Sequence, residues 1–294
     1  MRIPRPTHTA MTKLLNTQGA RLSNEVHKLE TQAVTGLKIS KPSDAPLETG
    51  AALRLNNIID NQDVYKRNAD YATSILGVAD EALGQVTDVF KRAREIAVQG
   101  ASEQFNASNR TSMAREIEVL RARLVDLSNT RLGERYVFSG TEYNTASFDN
   151  AGTYGGSTDL VETLVGDDQW VDVGFDGSDV FQGTVDAFAV LEDLENALNA
   201  NDPVTTFNLL GDLDDAAEQA IDWREIVGHN YKSTDDASAV ASSLSAVMQI
   251  ELGDIVNADP IETYTRLNEL RQNYQSAMQV GASSTSATLF GFLR

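Results

Sequence analysis

Residues 70–100 read DYATSILGVADEALGQVTDVFKRAREIAVQG, and this stretch decides the fold class. Its apolar side chains recur every three or four positions, which is the period of an amphipathic α-helix. One row consists of Ile75, Ala79, Ala82, Val86, Val89, Ala93 and Ile96. A second row consists of Leu76, Leu83, Phe90 and Ala97. A helix with so wide an apolar face needs neighbours on two sides, so the sequence predicts a mainly α-helical protein.

The N-terminal segment carries a narrower apolar seam. Its members are Leu15, Gly19, Leu22, Val26, Leu29 and Ala33. They are separated by alternating steps of four and three, a spacing typical of the a and d positions of a coiled coil. We expect this helix to end at Gly36, because glycine suits a left-handed C-cap. The proline-containing turn 40–46 follows it.

The same periodicity predicts further helices on both sides of residues 70–100. They are expected at 47–67, from Asn106 or Ser108 to Leu127, at about 184–200, at 203–228, at about 232–257 and after Pro260. The last helix has a second seam, formed by Leu267, Leu270, Tyr274, Ala277 and Gly281. Both ends of the chain therefore carry incomplete coiled-coil seams.

The middle of the chain differs, because nine of its twenty glycines lie between Gly133 and Gly183. Residues 135–141 and 170–177 are predicted to form short strands joined by hairpin turns. The fold class expected is an elongated helical rod with a small β insert. Its three domains are a terminal coiled-coil assembly domain (1–40 plus 261–294), a helical rod domain (41–140 plus 184–260) and an acidic β-rich outer domain (141–183).

Charge is distributed unevenly along the chain, whose net charge is −19. Residues 1–135 hold 19 Lys and Arg against 16 Asp and Glu, a balance of +3. Residues 136–294 hold 5 against 27, a balance of −22, and 136–223 contain no basic residue. Because such a surface repels phosphate backbones, we expect no nucleic-acid partner.

The residue patterns typical of catalytic and metal sites are absent from the sequence. There is no cysteine, and His8, His27 and His229 are too few for an imidazole cluster. Nucleotide-binding glycine loops and the common hydrolase and metalloprotease motifs are also absent. The acidic pairs are expected to point into water: Asp167/Asp168, Asp214/Asp215 and Asp235/Asp236. Residues 172–179 lack EF-hand spacing and are predicted to form a β-turn. We therefore expect no catalytic residue, cofactor or metal.

An uncharged tail closes the chain, from Gln272 to Leu293. It is too rich in Ser, Thr and Gln for a membrane span, and no run of 18 apolar residues occurs elsewhere, so no membrane insertion is expected. The N-terminus lacks the apolar segment of a cleaved secretory signal. An uncharged heptad tail makes sense when it is buried against copies of itself or a partner. The predicted assembly interface consists of Leu15, Leu22, Val26, Leu29, Leu267, Leu270, Tyr274 and Ala277.

Three short segments of the sequence resemble those of a known protein family. Residues 35–46, TGLKISKPSDAP, resemble the turn after the first helix of flagellar junction proteins of the hook-associated type 3 family, which commonly read TGKRINxPSDDP. Residues 67–72 and 92–99 are similar to segments shared with flagellin. Residues 133–141, GERYVFSGT, look like the strand that closes the N-terminal half of that family.

The resemblance implies a flagellin-like architecture and a structural, non-enzymatic role. The terminal helices would form an axial coiled coil, disordered before assembly, with a helical domain outside it and the β domain facing solvent. Its implied partners are hook-associated protein 1, flagellin, copies of itself in a ring and a flagellar export chaperone. The implied location is the flagellum outside the cell, reached by flagellar type III export without signal cleavage.

Three alternatives remain open. The first is a minor flagellin, although flagellin usually has an AKDDAAG-type turn where this chain has Pro42 and Pro46. The second is a secreted enzyme or binding module in the insert, which at about 45 residues is below the ~50-residue lower limit of ordinary domains. The third is a cytosolic coiled-coil scaffold.

Overall fold

The structure is a computed structural model that describes the backbone of residues 8–292 and the side chains of 13–14, 16–280 and 282. Its helices are α1 (His8–Thr35), α2 (Pro46–Gly100), α3 (Ala107–Ser128), α4 (Gly177–Gln182), α5 (Ala187–Asn199), α6 (Pro203–Val256) and α7 (Pro260–Phe292). Its strands are β1 (Arg131–Leu132), β2 (Arg135–Tyr136), β3 (Val161–Gly166) and β4 (Gln169–Gly174). The fold is thus mainly α-helical with two small antiparallel sheets, as the sequence predicts.

Contacts divide the chain into two compact units, one formed by 1–60 with 246–294 and the other by 61–245. The first brings helices α1 and α7 into contact. The second includes residues 141–183, which the sequence assigns to a domain of their own. About 45 residues bury little apolar surface by themselves, so packing this segment into a larger core is physically favourable. The three predicted domain boundaries stay a prediction.

The second unit is organised around the parts of α2 and α6 that lie in it. The two helices run antiparallel, because Asp70 accepts from Ser238 (2.8 Å) and Asp80 accepts from Arg224 Nε (3.0 Å), so positions advance on one helix as they fall on the other. Between them lies the apolar stripe of α2, whose two predicted rows are buried throughout. Each fully buried Leu, Ile or Phe in such a core contributes about 1.5–3 kcal/mol.

Aromatic side chains from residues 138–188 complete this core. The Phe138 and Phe181 rings meet edge to face with centroids 5.2 Å apart, and Phe148 packs on Phe181 and Phe188 at 5.4 and 4.8 Å. All four rings belong to the same buried cluster as the α2 stripe. This sharing explains why the segment does not separate from the helices around it.

A buried arginine joins two turns at one end of the second unit. Arg110 is 4% exposed, and its guanidinium donates to the carbonyls of Gly100 (2.7 Å) and Ser102 (2.8 Å). It also donates to Oδ1 of Asn201, at 2.6 Å. Because charged donors make strong hydrogen bonds, these contacts hold the α2–α3 turn against the α5–α6 turn.

Two predicted helix breaks are wrong. The sequence places a gap after residue 67, but α2 continues from Pro46 to Gly100, and Ala69 inside the gap is fully buried. It also ends a helix at Gly228, but α6 continues from Pro203 to Val256. A single glycine in a helix costs only about 1 kcal/mol, which the packing of a long helix outweighs.

The insert also differs in detail from its prediction. The strand expected over 135–141 shrinks to the two-residue β2, which pairs with β1. The strand expected over 170–177 ends at Gly174. Residues 172–179 form no isolated β-turn, because Asp176 accepts from the backbone N–H of Ser178 and so caps α4. The helix predicted after Gly183 begins instead at Ala187, with Asp186 as its N-cap.

Gly140 gives a direct test of backbone strain in the insert. Its φ is +57°, and an added Cβ would overlap the carbonyl oxygen of Ser157. We expect Gly140→Ala to lower the free energy of unfolding, measured by chemical denaturation, by about 2 kcal/mol or more.

The matched control is Gly228→Ala in the middle of α6, where an added Cβ meets no atom within 4 Å. This change is expected to raise the free energy of unfolding by about 0.5–1 kcal/mol, because alanine is the better helix former. Equal stability of the two variants would contradict the assignment of strain to Gly140.

Candidate functional site

The candidate site is the pairing of α1 with α7 in the first unit. Leu267 is buried at 4% exposure. Six further members of the predicted interface are half-buried: Leu22, Val26, Leu29, Leu270, Tyr274 and Ala277. The side chain of the eighth, Leu15, lies outside the described residues, as does the burial of Gly281. The structure thus places both described seams on a pair of helices that contact each other.

The degree of burial distinguishes these seams from the stripe of α2. Helix α2 has many side chains below 2% exposure, whereas α1 has no buried position among its described side chains. Two helices alone cannot cover a seam on every side, so part of each apolar side chain stays in water. The pair therefore retains apolar surface that a further chain could cover.

Additional apolar side chains of the first unit are exposed. The most exposed are Leu47 (91%), Val34 (86%) and Ile261 (78%). Others are Leu14, Leu37, Leu53, Ile58, Val247, Ile250, Tyr264, Met278 and Val280. Single exposed apolar residues are ordinary in proteins, but their number here is consistent with a surface that is covered on association.

A polar contact also joins the two helices. Nη2 of Arg271 donates to Oε1 of Glu30 at 2.6 Å, and Nδ1 of His27 lies 3.2 Å from the other oxygen of that carboxylate. The hydrogen bond from Arg271 is the main reason why the pKa of Glu30 is lowered from its ordinary value. This ion pair is exposed, so it adds more to the register of the pair than to its stability.

A joint of backbone hydrogen bonds lies where the chain leaves α1 and enters α7, and sequence reasoning missed it. The N–H of Lys38 donates to the carbonyl of Val256 (2.7 Å), and the N–H of Ala258 donates to the carbonyl of Gly36 (2.8 Å). Gly36 has a φ of +71°, which confirms its predicted role as a left-handed cap. No local sequence pattern predicts these hydrogen bonds, because each joins two residues that are more than 200 positions apart.

The His, Asp and Glu side chains of the described residues are scattered rather than clustered. Among the described residues, no group of three or more His, Asp or Glu side chains could hold a metal ion. Of the acidic pairs, Asp214 is bound to Arg94, and Asp236 to Lys232. One helix, α6, contains a window long and apolar enough to span a membrane by length and composition. A single such helix is weak evidence, since helices of soluble proteins pass the same test.

Comparison with known proteins shows similarity to proteins of the bacterial flagellum. The family model of the bacterial flagellin N-terminal helical region matches residues 7–143. Flagellar hook-associated protein 3 of Escherichia coli is 27% identical to this chain over 245 residues, which cover 83% of this chain and 74% of the relative. The chain is similar to flagellar hook-associated protein 3 and, over residues 7–143, to the N-terminal helical region of flagellin. It is a structural component of the bacterial flagellum.

Two further proteins are similar to this chain at lower sequence identity. The flagellar filament 33 kDa core protein of Treponema phagedenis is 23% identical and matches 92% of each chain. The flagellar junction protein FlgL from Legionella pneumophila superposes with a TM-score of 0.57 at 15% identity, over 69% of this chain and 99% of that structure. The solved structure supports the fold, and the resemblance inferred from the turn at 35–46 is confirmed.

The contact between Arg271 and Glu30 predicts an acid-sensitive α1–α7 pair. Because the pKa of Glu30 is lower in the folded protein than its ordinary value of 4.5, the contact stabilises the pair above that value. The stabilisation is lost as the pH falls through the lowered pKa. We expect amide hydrogen-exchange protection in α1 and α7 to fall with acid below about pH 4.5, and Glu30→Gln to remove this part of the pH dependence.

The matched control is Glu25→Gln, since Glu25 pairs with Arg21 on the same helix at 3.7 Å and does not bridge to α7. This variant should keep the acid sensitivity of the parent protein. An unchanged pH profile in Glu30→Gln would contradict the role given to the contact.

Proposed function

We propose that this chain is the junction subunit that connects the hook-associated protein 1 zone to the flagellin filament. The observation that carries the proposal is the pair of half-buried seams on α1 and α7, in a chain that is similar to flagellar hook-associated protein 3. The apolar surface left on these helices suits a subunit that finishes its packing only within an assembly.

The mechanism is coupled folding and assembly. Leu22, Val26 and Leu29 pack with Leu267 and Leu270 within one subunit, and their remaining surface packs against neighbouring copies in a ring. Leu15, Tyr274 and Ala277 extend the same interface. Ordering long helices costs conformational entropy, which burial against a template ring offsets. Growth is then confined to the tip of the structure, where hook-associated protein 1 provides that template.

Small residues at the seams support close packing of several helices. Gly19 has no atom within 4 Å of the position where a Cβ would stand, so a neighbouring helix can approach its backbone there. Ala33 and Ala277 are similarly small. A subunit of this kind travels unfolded at its ends through the flagellar export channel, with a chaperone covering the seams and without a cleaved signal.

A minor flagellin is the second candidate. The match to the Treponema filament protein favours it, because that match covers 92% of each chain. An enzyme or binding module in residues 141–183 has less support, since Phe148, Phe175 and Phe181 of this segment belong to the core of the second unit.

Deletion of the gene separates the two candidates. For the junction subunit we expect electron micrographs of bare hooks together with flagellin released into the culture medium, because export continues while the filament has no adaptor. Normal filaments on the deletion strain would contradict the junction role. If the chain is a minor flagellin, the deletion strain is expected to carry normally attached filaments with altered composition or length.

The seam itself is tested by charge substitution. Leu22→Asp and Leu270→Asp each place a carboxylate on half-buried apolar surface, and the double variant is expected to be exported but not incorporated into flagella. Incorporation is measured in sheared filaments by immunoblotting.

The matched control places the same charge on exposed positions of the same two helices, as Asn24→Asp with Asn268→Asp. This pair should be incorporated at the level of the parent protein. Normal incorporation of the Leu22→Asp, Leu270→Asp variant would overturn the mechanism.

A further inference from the structure

The hairpin formed by β3 and β4 lies on helices α2 and α6 of the second unit. Val165 and Val171 point inward and pack with Ala69 of α2 and Ala237 of α6. Asn68 donates to the carbonyl of Leu164 at 2.9 Å on one edge. On the other edge Asn230 donates to the carbonyl of Asp172 at 3.3 Å, so both sides of the hairpin are anchored.

The strand register fixes what the opposite face presents. Glu162 lies directly across from Asp172, and Leu164 across from Trp170. Side chains alternate along a strand, so these four share the face that points away from Val165 and Val171. The Cβ atoms of directly opposed residues are about 4.5–5.5 Å apart, and like charges at that separation destabilise a sheet. The hairpin thus carries a repulsive pair that its own fold does not require.

No ion pair among the described residues neutralises the two carboxylates. Neither Glu162 nor Asp172 makes an ion pair among the described residues, and Arg67 of the neighbouring helix makes none with them. The lysines on the supporting helices are engaged elsewhere, Lys66 with Asp70 and Lys232 with Asp236. Residues 136–223, which contain the hairpin, have no basic residue at all.

Trp170 gives this face a second property. Its side chain is 57% exposed, next to the carboxylate pair, although a large aromatic ring gains most from burial. An exposed indole face attracts an organic cation through its quadrupole, and carboxylates bind such a cation by charge-assisted hydrogen bonds. A guanidinium group satisfies both, because it is planar, stacks on aromatic rings and donates to two oxygens at once.

We propose that this face, defined by Glu162, Leu164, Trp170 and Asp172, is a docking surface for an arginine side chain of a partner protein segment. Charge complementarity selects the occupant: two unpaired carboxylates beside an aromatic ring favour an organic cation. A metal ion is disfavoured, because hard cations need more oxygen ligands than this face offers and an indole provides none. The proposal does not depend on the junction role.

The test uses isothermal titration calorimetry of the full chain with a blocked peptide that carries two arginines among alanines. We expect saturable binding that weakens with added salt. The double variant Glu162→Gln, Asp172→Asn should weaken it about fivefold, as expected for two charge pairs at the protein surface. Trp170→Ala should weaken it about threefold through loss of the cation–π contact.

Two controls separate a specific surface from general attraction to an acidic protein. Asp212→Asn with Asp215→Asn removes the same charge from exposed positions of α6, and should leave the dissociation constant within about twofold of the parent. A peptide with citrulline in place of arginine keeps the shape without the charge, and should not bind. Equal weakening by both double variants, or the absence of saturable binding, overturns the proposal.

Thermal unfolding shows that lost binding does not come from lost structure. Because Glu162 and Asp172 repel each other, Glu162→Gln with Asp172→Asn is expected to raise the unfolding midpoint while it weakens peptide binding. A lower midpoint would mean that the carboxylates hold the fold together, and would contradict their role as a docking pair.

Discussion

Burial of the apolar stripe of α2 is the constraint on which the second unit depends. A helix with two adjacent apolar rows is unstable in water unless both rows are covered. Helix α6 covers it in antiparallel orientation, while α3, α5 and the aromatic cluster around Phe148 fill the rest of the core. Once these helices are in place, the β3–β4 hairpin can lie on α2 and α6, held by Asn68 and Asn230.

The first unit differs from the second in how far its apolar side chains are buried. Leu267 is its most buried seam residue, and the other seam side chains reach only partial burial. Full burial within one chain would leave no apolar surface to drive association, and full exposure would leave α1 and α7 without reason to pair. Partial burial lets the helices pair and leaves apolar surface that the proposed assembly would cover.

Sequence reasoning succeeds where a pattern is long and local. The stripe from Ile75 to Ile96 predicts its own burial, and Asn106 and Gly36 mark a helix start and a helix end correctly. It fails where tertiary packing overrides a local signal, as at Gly228, which a helix of 54 residues carries without interruption. It also cannot foresee pairings such as Lys38 with Val256, since no local pattern in the sequence indicates which distant backbone groups will meet.

The uneven charge distribution allows the N-terminal and C-terminal halves of the chain to form ion pairs with each other. Arginines of the N-terminal half pair with acids of the C-terminal half, as Arg94 does with Asp214 and Arg121 with Glu192. Exposed pairs of this kind contribute at most about 1 kcal/mol each, so they select the pairing of helices more than they stabilise it. Most acids of residues 136–223 have no such partner in the described part of the chain. Their mutual repulsion destabilises the folded state slightly. On the β3–β4 hairpin, an unfavourable pair of carboxylates lies beside an exposed tryptophan. A cation supplied by another chain is the simplest explanation for that arrangement.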